Sequence, residues 1–117
     1  MGTTETNRRV IKEFRAGEVQ GMQRDRLLLL STVGRRSGET RTTPMMFYRD
    51  GHRLLVMASN AGAPRHPAWY LNLVADPHVI VEVGDDEYDA VATPLTGAER
   101  DRVWTEVKKT YPFFVDH

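Results

Sequence analysis

The 117-residue chain contains no cysteine, and that absence removes several chemistries at once. Disulfides, thiolate metal sites and a cysteine nucleophile are all excluded, which fits a reducing compartment. Long apolar runs are missing too. The longest is Leu27–Leu30, extended weakly by Ser31–Val33, far below the roughly 20 residues a membrane-spanning helix needs. The first residues show no apolar signal-peptide region. The four histidines, His52, His66, His78 and His117, are scattered without HxH or HExxH spacing, so no metal site is expected. There is no GxSxG elbow, no Walker loop and no GxGxxG. Asp85-Asp86 reads as a polar turn rather than a proton-transfer pair.

Net charge is zero, but it is unevenly distributed. Residues 1–58 carry eleven Lys or Arg against six Asp or Glu, and residues 59–117 carry five against ten. A basic half suits an anionic ligand, an acidic membrane surface or nucleic acid. Nucleic acid is disfavoured, because the basic segment from Arg8 to Arg53 offers few aromatics to stack on bases. The cations concentrate after the apolar run, in Gly34-Arg35-Arg36-Ser37-Gly38-Glu39-Thr40-Arg41. Guanidinium groups, a hydroxyl and two glycines in so short a loop can present bidentate donors and backbone N–H groups to phosphate or carboxylate. Taken alone, the loop reads as a solvated hairpin turn, with anion binding the alternative.

At this length one domain with a modest core is expected over residues 1–117, with residues 1–7 frayed. Asn7 is placed to cap a short helix in which Val10, Ile11 and Phe14 recur at helical spacing before Gly17. Its polar face holds Arg8, Arg9, Lys12 and Arg15. Packing on the domain is the simpler reading of this basic amphipathic segment. Peripheral membrane contact through residues 8–15 of an otherwise cytoplasmic protein is the alternative. Strands are expected at 27–33, 40–49, 53–59, 78–84 and 87–95, with turns at Asp50-Gly51 and Asp85-Asp86. Val79, Val81 and Val83 alternate with His78, Ile80 and Glu82. Pro67 opens a short helix that Asp76-Pro77 ends. Thr96-Gly-Ala-Glu99 matches a capping box before a helix whose one face carries Val103, Trp104, Val107 and Tyr111. The class is α+β, an antiparallel sheet or barrel with peripheral helices.

Two clusters remain. Trp69, Tyr70 and Asn72 share the short helix, where the amide can meet a planar heterocycle beside an aromatic; core and surface roles are the plainer reading. Tyr111, Phe113 and Phe114 form either a mobile aromatic wall or the apolar end of the last helix.

GRRSGETRTTP, a hairpin ending VMASNAG, then PAWYLNLVADP and a helix closing on YPFF together resemble the deazaflavin-dependent nitroreductase family. The resemblance runs from about Asn7 to Phe114. It implies a split β-barrel of the flavin-reductase-like (FMN-binding-like) superfamily and coenzyme F-420, an anionic deazaflavin with a phosphodiester and an oligoglutamate tail. It places the tail on Arg35, Arg36, Ser37 and Arg41, with Thr42 and Thr43 on the strand between tail and ring. It places the ring against Met57, Ala58, Ser59, Asn60 and the helix residues Ala68, Trp69, Tyr70, Leu71 and Asn72. The implied reaction is hydride transfer to a small acceptor: a quinone, an enone or a nitro compound. FMN is the alternative cofactor, and a non-catalytic cofactor-binding protein the alternative function. Ser59 or Tyr111 would deliver a proton, and Tyr111 and Phe114 would line the acceptor pocket as a lid. Family members continue into a final strand of the type RxIPVVxLxP that this sequence does not contain.

Overall fold

A computed structural model describes residues 3–58 and 67–112. Its centre is β1 (Leu27–Val33), and the reason lies in the strand's composition. Successive side chains of a strand point to opposite faces, so four leucines in a row demand cover on both sides. Leu27 and Leu29 face α1 (Thr3–Ala16), packing with Val10, Phe14 and Val19. Leu28 and Leu30 face the other way, among Phe47, Val79 and Val81, with Trp69 and Leu73 of α2 (Ala68–Ala75) against them. Leu29 is wholly inaccessible to solvent.

The remaining strands are β2 (Thr40–Asp50), β3 (Arg53–Val56), β4 (His78–Val83) and β5 (Asp86–Val91). They form one antiparallel sheet in the order β3-β2-β1-β4-β5. Only Phe47–Asp50 of β2 pair with β3, whereas Thr40–Met46 pair with β1 alone. Pro44 lies in that singly paired stretch, the position an imino nitrogen tolerates. Val79 and Val81 are buried while Ile80 is exposed, as the period-two pattern requires. The last helix, α3 (Gly97–Thr110), lays Val103 and Val107 on Tyr48, Leu55 and Met57. The architecture is α+β, a curled antiparallel half-barrel with three helices, as expected from sequence.

Several local expectations need correction. α1 begins at Thr3, so Asn7 lies inside the helix rather than capping it. Glu5 in the first turn suits the positive end of the helix dipole, and no Gly or Pro interrupts residues 3–6. Val10 and Phe14 are used in the core, so the outward surface of residues 8–15 is charged rather than amphipathic. Pro67 is the N-cap of α2 rather than its first residue. The β4–β5 turn is Gly84-Asp85, with Val83 opposite Asp86 and Gly84 at φ 57°. β5 stops at Val91 because β4 begins opposite it at His78; Ala92 N–H then donates to the Pro77 carbonyl. β3 ends at Val56, and Met57 turns onto the α3 cluster. The capping box is not made: Thr96 accepts no side-chain cap bond, the helix enters through Gly97 at φ 62°, and Glu99 pairs with Arg53 instead.

That pairing ties α3 to the β2–β3 hairpin. Arg53 donates to both Asp50 and Glu99, and Arg102 of α3 also reaches Asp50. Arg53, and after it Arg102, hold the Asp50 carboxyl below its ordinary range. A depressed folded-state value contributes stability at pH above the ordinary carboxylate range, which is lost as pH falls through the folded value. Acidification below about pH 4 should therefore lower the Tm. Asp50→Asn should lower the Tm at neutral pH and flatten that acid limb, measured by thermal unfolding across pH.

Candidate functional site

Burial ends where β1 ends, and the site begins there. Thr32 is buried, Gly34 starts a loop, and the chain reverses to enter β2 at Thr40. The loop is closed by its own backbone: Gly34 N–H donates to the Glu39 carbonyl at 2.8 Å, and Gly38 N–H to the Gly34 carbonyl at 2.8 Å. Gly34 is required by packing, since a Cβ there would lie 2.8 Å from Ser37 Oγ and 3.2 Å from the Glu39 carbonyl oxygen. Gly38 is required by conformation, with φ at 73°. Ser37 Oγ accepts from Glu39 N–H at 3.1 Å. These constraints turn Arg35 and Arg36 outward, both exposed.

The loop is also held from outside. Asn72 of α2 is 6 % exposed, and its Oδ1 accepts from both the backbone N–H (3.2 Å) and the Nη1 (3.3 Å) of Arg35. Its Nδ2 donates to Thr32 Oγ1 at 3.2 Å. One amide thus joins helix, central strand and loop. On the opposite face of the sheet, Ser31 and Thr42 hydroxyls share a hydrogen bond of 2.8 Å across β1 and β2.

Beside the loop lies a cleft of about 590 Å³. One wall is the loop and the start of β2, with Gly34, Arg35, Arg36, Ser37, Arg41, Thr42 and Thr43. A second comes from α2 with Ala68, Trp69 and Asn72, and a third from α1 with Asn7, Arg8 and Ile11; the buried Thr32 also borders it. Four arginines line the cleft and no carboxylate does, among the described residues. Arg41 pairs with Glu39 at 3.9 Å, in a solvent-exposed pair of little strength. Such a lining carries positive potential, which favours an anionic ligand over a cationic one. No cluster of three potential ligands able to hold a metal exists among the described residues. No helix among them is long and apolar enough to cross a membrane.

Of the residues singled out from sequence, Arg35, Arg36, Ser37, Arg41, Thr42, Thr43, Ala68, Trp69 and Asn72 line this one cleft. Four do not. Met57 packs on the α3 cluster, and Ala58 follows it. Tyr70 sits edge-on to Trp69, with centroids 6.4 Å apart, and Leu71 lies on the helix exterior. Ser59, Asn60 and Phe114 fall outside the described residues. The expectation for Asn72 changes in kind, because its amide engages Arg35 and Thr32 and serves as the loop's anchor. Tyr111 is corrected outright. It is 4 % exposed in the α3 cluster, its hydroxyl donates to the Phe47 carbonyl at 2.9 Å, and Arg26 stands 5.4 Å over its ring. Burial pushes its phenol above the ordinary range, opposite to what a proton donor near neutrality needs. It anchors the end of α3, and the rest of the expected lid, residues 113–117, lies outside the described residues. Sequence reasoning missed Asn7, Arg8, Ile11, Thr32 and Gly34. The spacing of Asn7 and Ile11, four apart, marks a second stripe on α1 beside the core stripe.

Fold and site together define a split half-barrel built around a cationic ligand cleft. The chain belongs to the F420H(2)-dependent quinone reductase family, which it matches over residues 4–117. It is 39 % identical over 84 residues to a Mycobacterium tuberculosis protein named F420H(2)-dependent quinone reductase; the match covers 70 % of this chain and 56 % of that one. This chain therefore spans little more than half the length of that relative. A solved F420-H2 dependent reductase (FDR-A) is 35 % identical, with a TM-score of 0.71 over 78 % of this chain and 81 % of the other. A second structure, described as a domain-swapped dimer, is 30 % identical, with a TM-score of 0.73 over 97 % and 87 %.

Two substitutions separate anchor from ligand-binding roles. Asn72→Ala should destabilise the fold by about 1–3 kcal/mol, since Thr32 is left buried with a lost partner. Chemical denaturation measures this. Tyr111→Phe should cost about 0.5–1.5 kcal/mol and leave cofactor affinity unchanged; a loss of affinity without loss of stability would return Tyr111 to the site.

Proposed function

We propose that this chain is a coenzyme F-420-dependent reductase that passes a hydride to a quinone, with enones and nitro compounds as further acceptors. The observation that carries the proposal is the acid-free cleft with Arg8, Arg35, Arg36 and Arg41 on its walls. A phosphodiester followed by glutamate carboxylates needs cations in series, and the donor set fits that requirement. The same set favours the longer anion over FMN, whose single phosphate would leave much of the charge unmatched.

When bound in its reduced form, coenzyme F-420 supplies the hydride. The protein's part is binding and orientation. Arg35 and Arg41 hold phosphate or carboxylate oxygens by charge-assisted donation, and Asn72 fixes Arg35 before the ligand arrives. Trp69, Ala68 and Ile11 give the cleft its apolar surface and limit water. The described lining residues are Asn, Arg, Ile, Thr, Gly, Ser, Ala and Trp, with no His, Asp, Glu or Lys to serve as a proton donor. Water then brings the proton that completes reduction, or Ser59 does so. Membrane contact through residues 8–15 would be electrostatic, because the apolar face of α1 is already buried.

The test is oxidation of reduced coenzyme F-420 by a soluble menaquinone analogue, preceded by fluorescence titration with coenzyme F-420 and with FMN. Preferential coenzyme F-420 binding and quinone-dependent oxidation are expected; binding without turnover would make the protein a cofactor carrier. Replacing Arg35 and Arg36 together by Gln should weaken coenzyme F-420 binding at least tenfold, about 1.4 kcal/mol. The loss should grow as ionic strength falls, because screening weakens what the arginines contribute. Unchanged affinity at low salt in a folded variant would remove the loop from the site.

A further inference from the structure

The arginines of α1 divide into two kinds. Arg9 pairs with Glu13 on its own helix at 2.9 Å, and Arg15 makes a two-pronged bond to Glu82 of β4 at 3.0 and 2.8 Å. Arg8 has no carboxylate partner among the described residues, yet it lines the cleft. It shares that wall with Asn7 and Ile11, at the 1-2-5 spacing of one helical stripe, while Val10 and Phe14 form the adjacent core stripe. The helix is not free to swing. Phe14 is 1 % exposed, Arg24 donates to its carbonyl at 2.8 Å and stacks 4.5 Å over its ring, and Arg15 holds the last turn to the sheet. A fixed helix therefore presents one uncompensated guanidinium across the cleft from the arginine loop.

We propose that Arg8 is a second anion station that reads the length of the ligand's tail. This rests on the coenzyme F-420 reading of the cleft and adds to it a residue that the sequence pattern had assigned to packing or membrane contact. The loop arginines are the station for the first anionic groups. A ligand that carries the phosphodiester but no glutamates satisfies that station alone. Each added glutamate brings another carboxylate, and an extended tail then meets cations on two walls. Arg8 in consequence contributes only to the longer anion, and discrimination by tail length resides in α1.

The experiment compares coenzyme F-420 bearing a long oligoglutamate tail with the tail-free form that lacks every glutamate, titrated at low salt against wild type, Arg8→Gln, Arg8→Lys and Arg9→Gln. Wild type should bind the long-tailed form more tightly. Arg8→Gln should weaken that form by about five- to tenfold, a charge-assisted contact discounted for exposure, and change the tail-free form by less than about twofold. Arg8→Lys should recover most of the loss, and Arg9→Gln should match wild type for both forms. Should Arg8→Gln lower the Tm, the lysine variant and a comparison of the two cofactor forms within each variant carry the test. Equal losses for both forms, or a loss for neither, overturn the proposal while leaving the cofactor assignment standing. Failure of wild type to bind either form overturns both.

Discussion

Two-sided burial of β1 is the constraint on which the rest of the molecule depends. Leu27 to Leu30 alternate between two apolar clusters, so the central strand needs a helix on each face. Each fully buried leucine contributes on the order of 1.5–3 kcal/mol, and no other segment concentrates as much. α1 covers one face and α2 the other, and both reach the end of the strand, where Ser31 and Thr32 replace leucine. The cleft opens there because the apolar run stops before the covering helices do. Arg8 and Ile11 of α1 and Trp69 and Asn72 of α2 are left standing over a polar loop.

Charge is arranged on the same plan. Arg15, Arg24, Arg53 and Arg102 each meet a carboxylate from another element or turn, joining α1 to β4, the Arg24 turn to the β4–β5 turn, and α3 to the β2–β3 hairpin. Exposed pairs of this kind are individually weak, but they neutralise cations away from the cleft. Among the described residues no carboxylate lines the cleft, so the field of its arginines is left largely uncompensated there. The acidic β4–β5 turn, with Asp85, Asp86 and Glu87, belongs to the opposite side of the sheet from this loop end of β1, since Leu28 is opposite Val83 and Ser31 is opposite Ile80. The zero net charge of the chain thus conceals a polar distribution that favours one end for anions.

Much of this was legible in the sequence. The strands followed from apolar runs, alternation and turn residues, because burial on one or two faces leaves a direct pattern in side-chain type. The arginine loop was legible as a loop, and the family resemblance gave it a ligand. Element ends were less so. α1 starts before Asn7, although Asn7 is a good cap, because the preceding residues are compatible with helix and nothing stops it earlier. Thr96 and Glu99 have capping-box spacing, yet Glu99 is recruited by Arg53, a partner 46 residues away. Local propensity cannot anticipate such competition.

The same limit explains Asn72 and Tyr111, whose residue types invited a ligand contact or a proton transfer. Asn72 meets Arg35 across 37 residues, and Tyr111 meets Phe47 across 64. Both contacts exist only because the sheet brings distant elements together, and both take up hydrogen-bonding groups that would otherwise face a ligand. A buried amide with partners on two elements cannot turn to a ligand without leaving Arg35 or Thr32 unsatisfied, at a cost of about 1–3 kcal/mol. The position of Arg35 at the end of the cleft is therefore set by the Asn72 amide. The fold uses its buried polar side chains to place the loop, and leaves the guanidinium groups of Arg35 and Arg36 exposed.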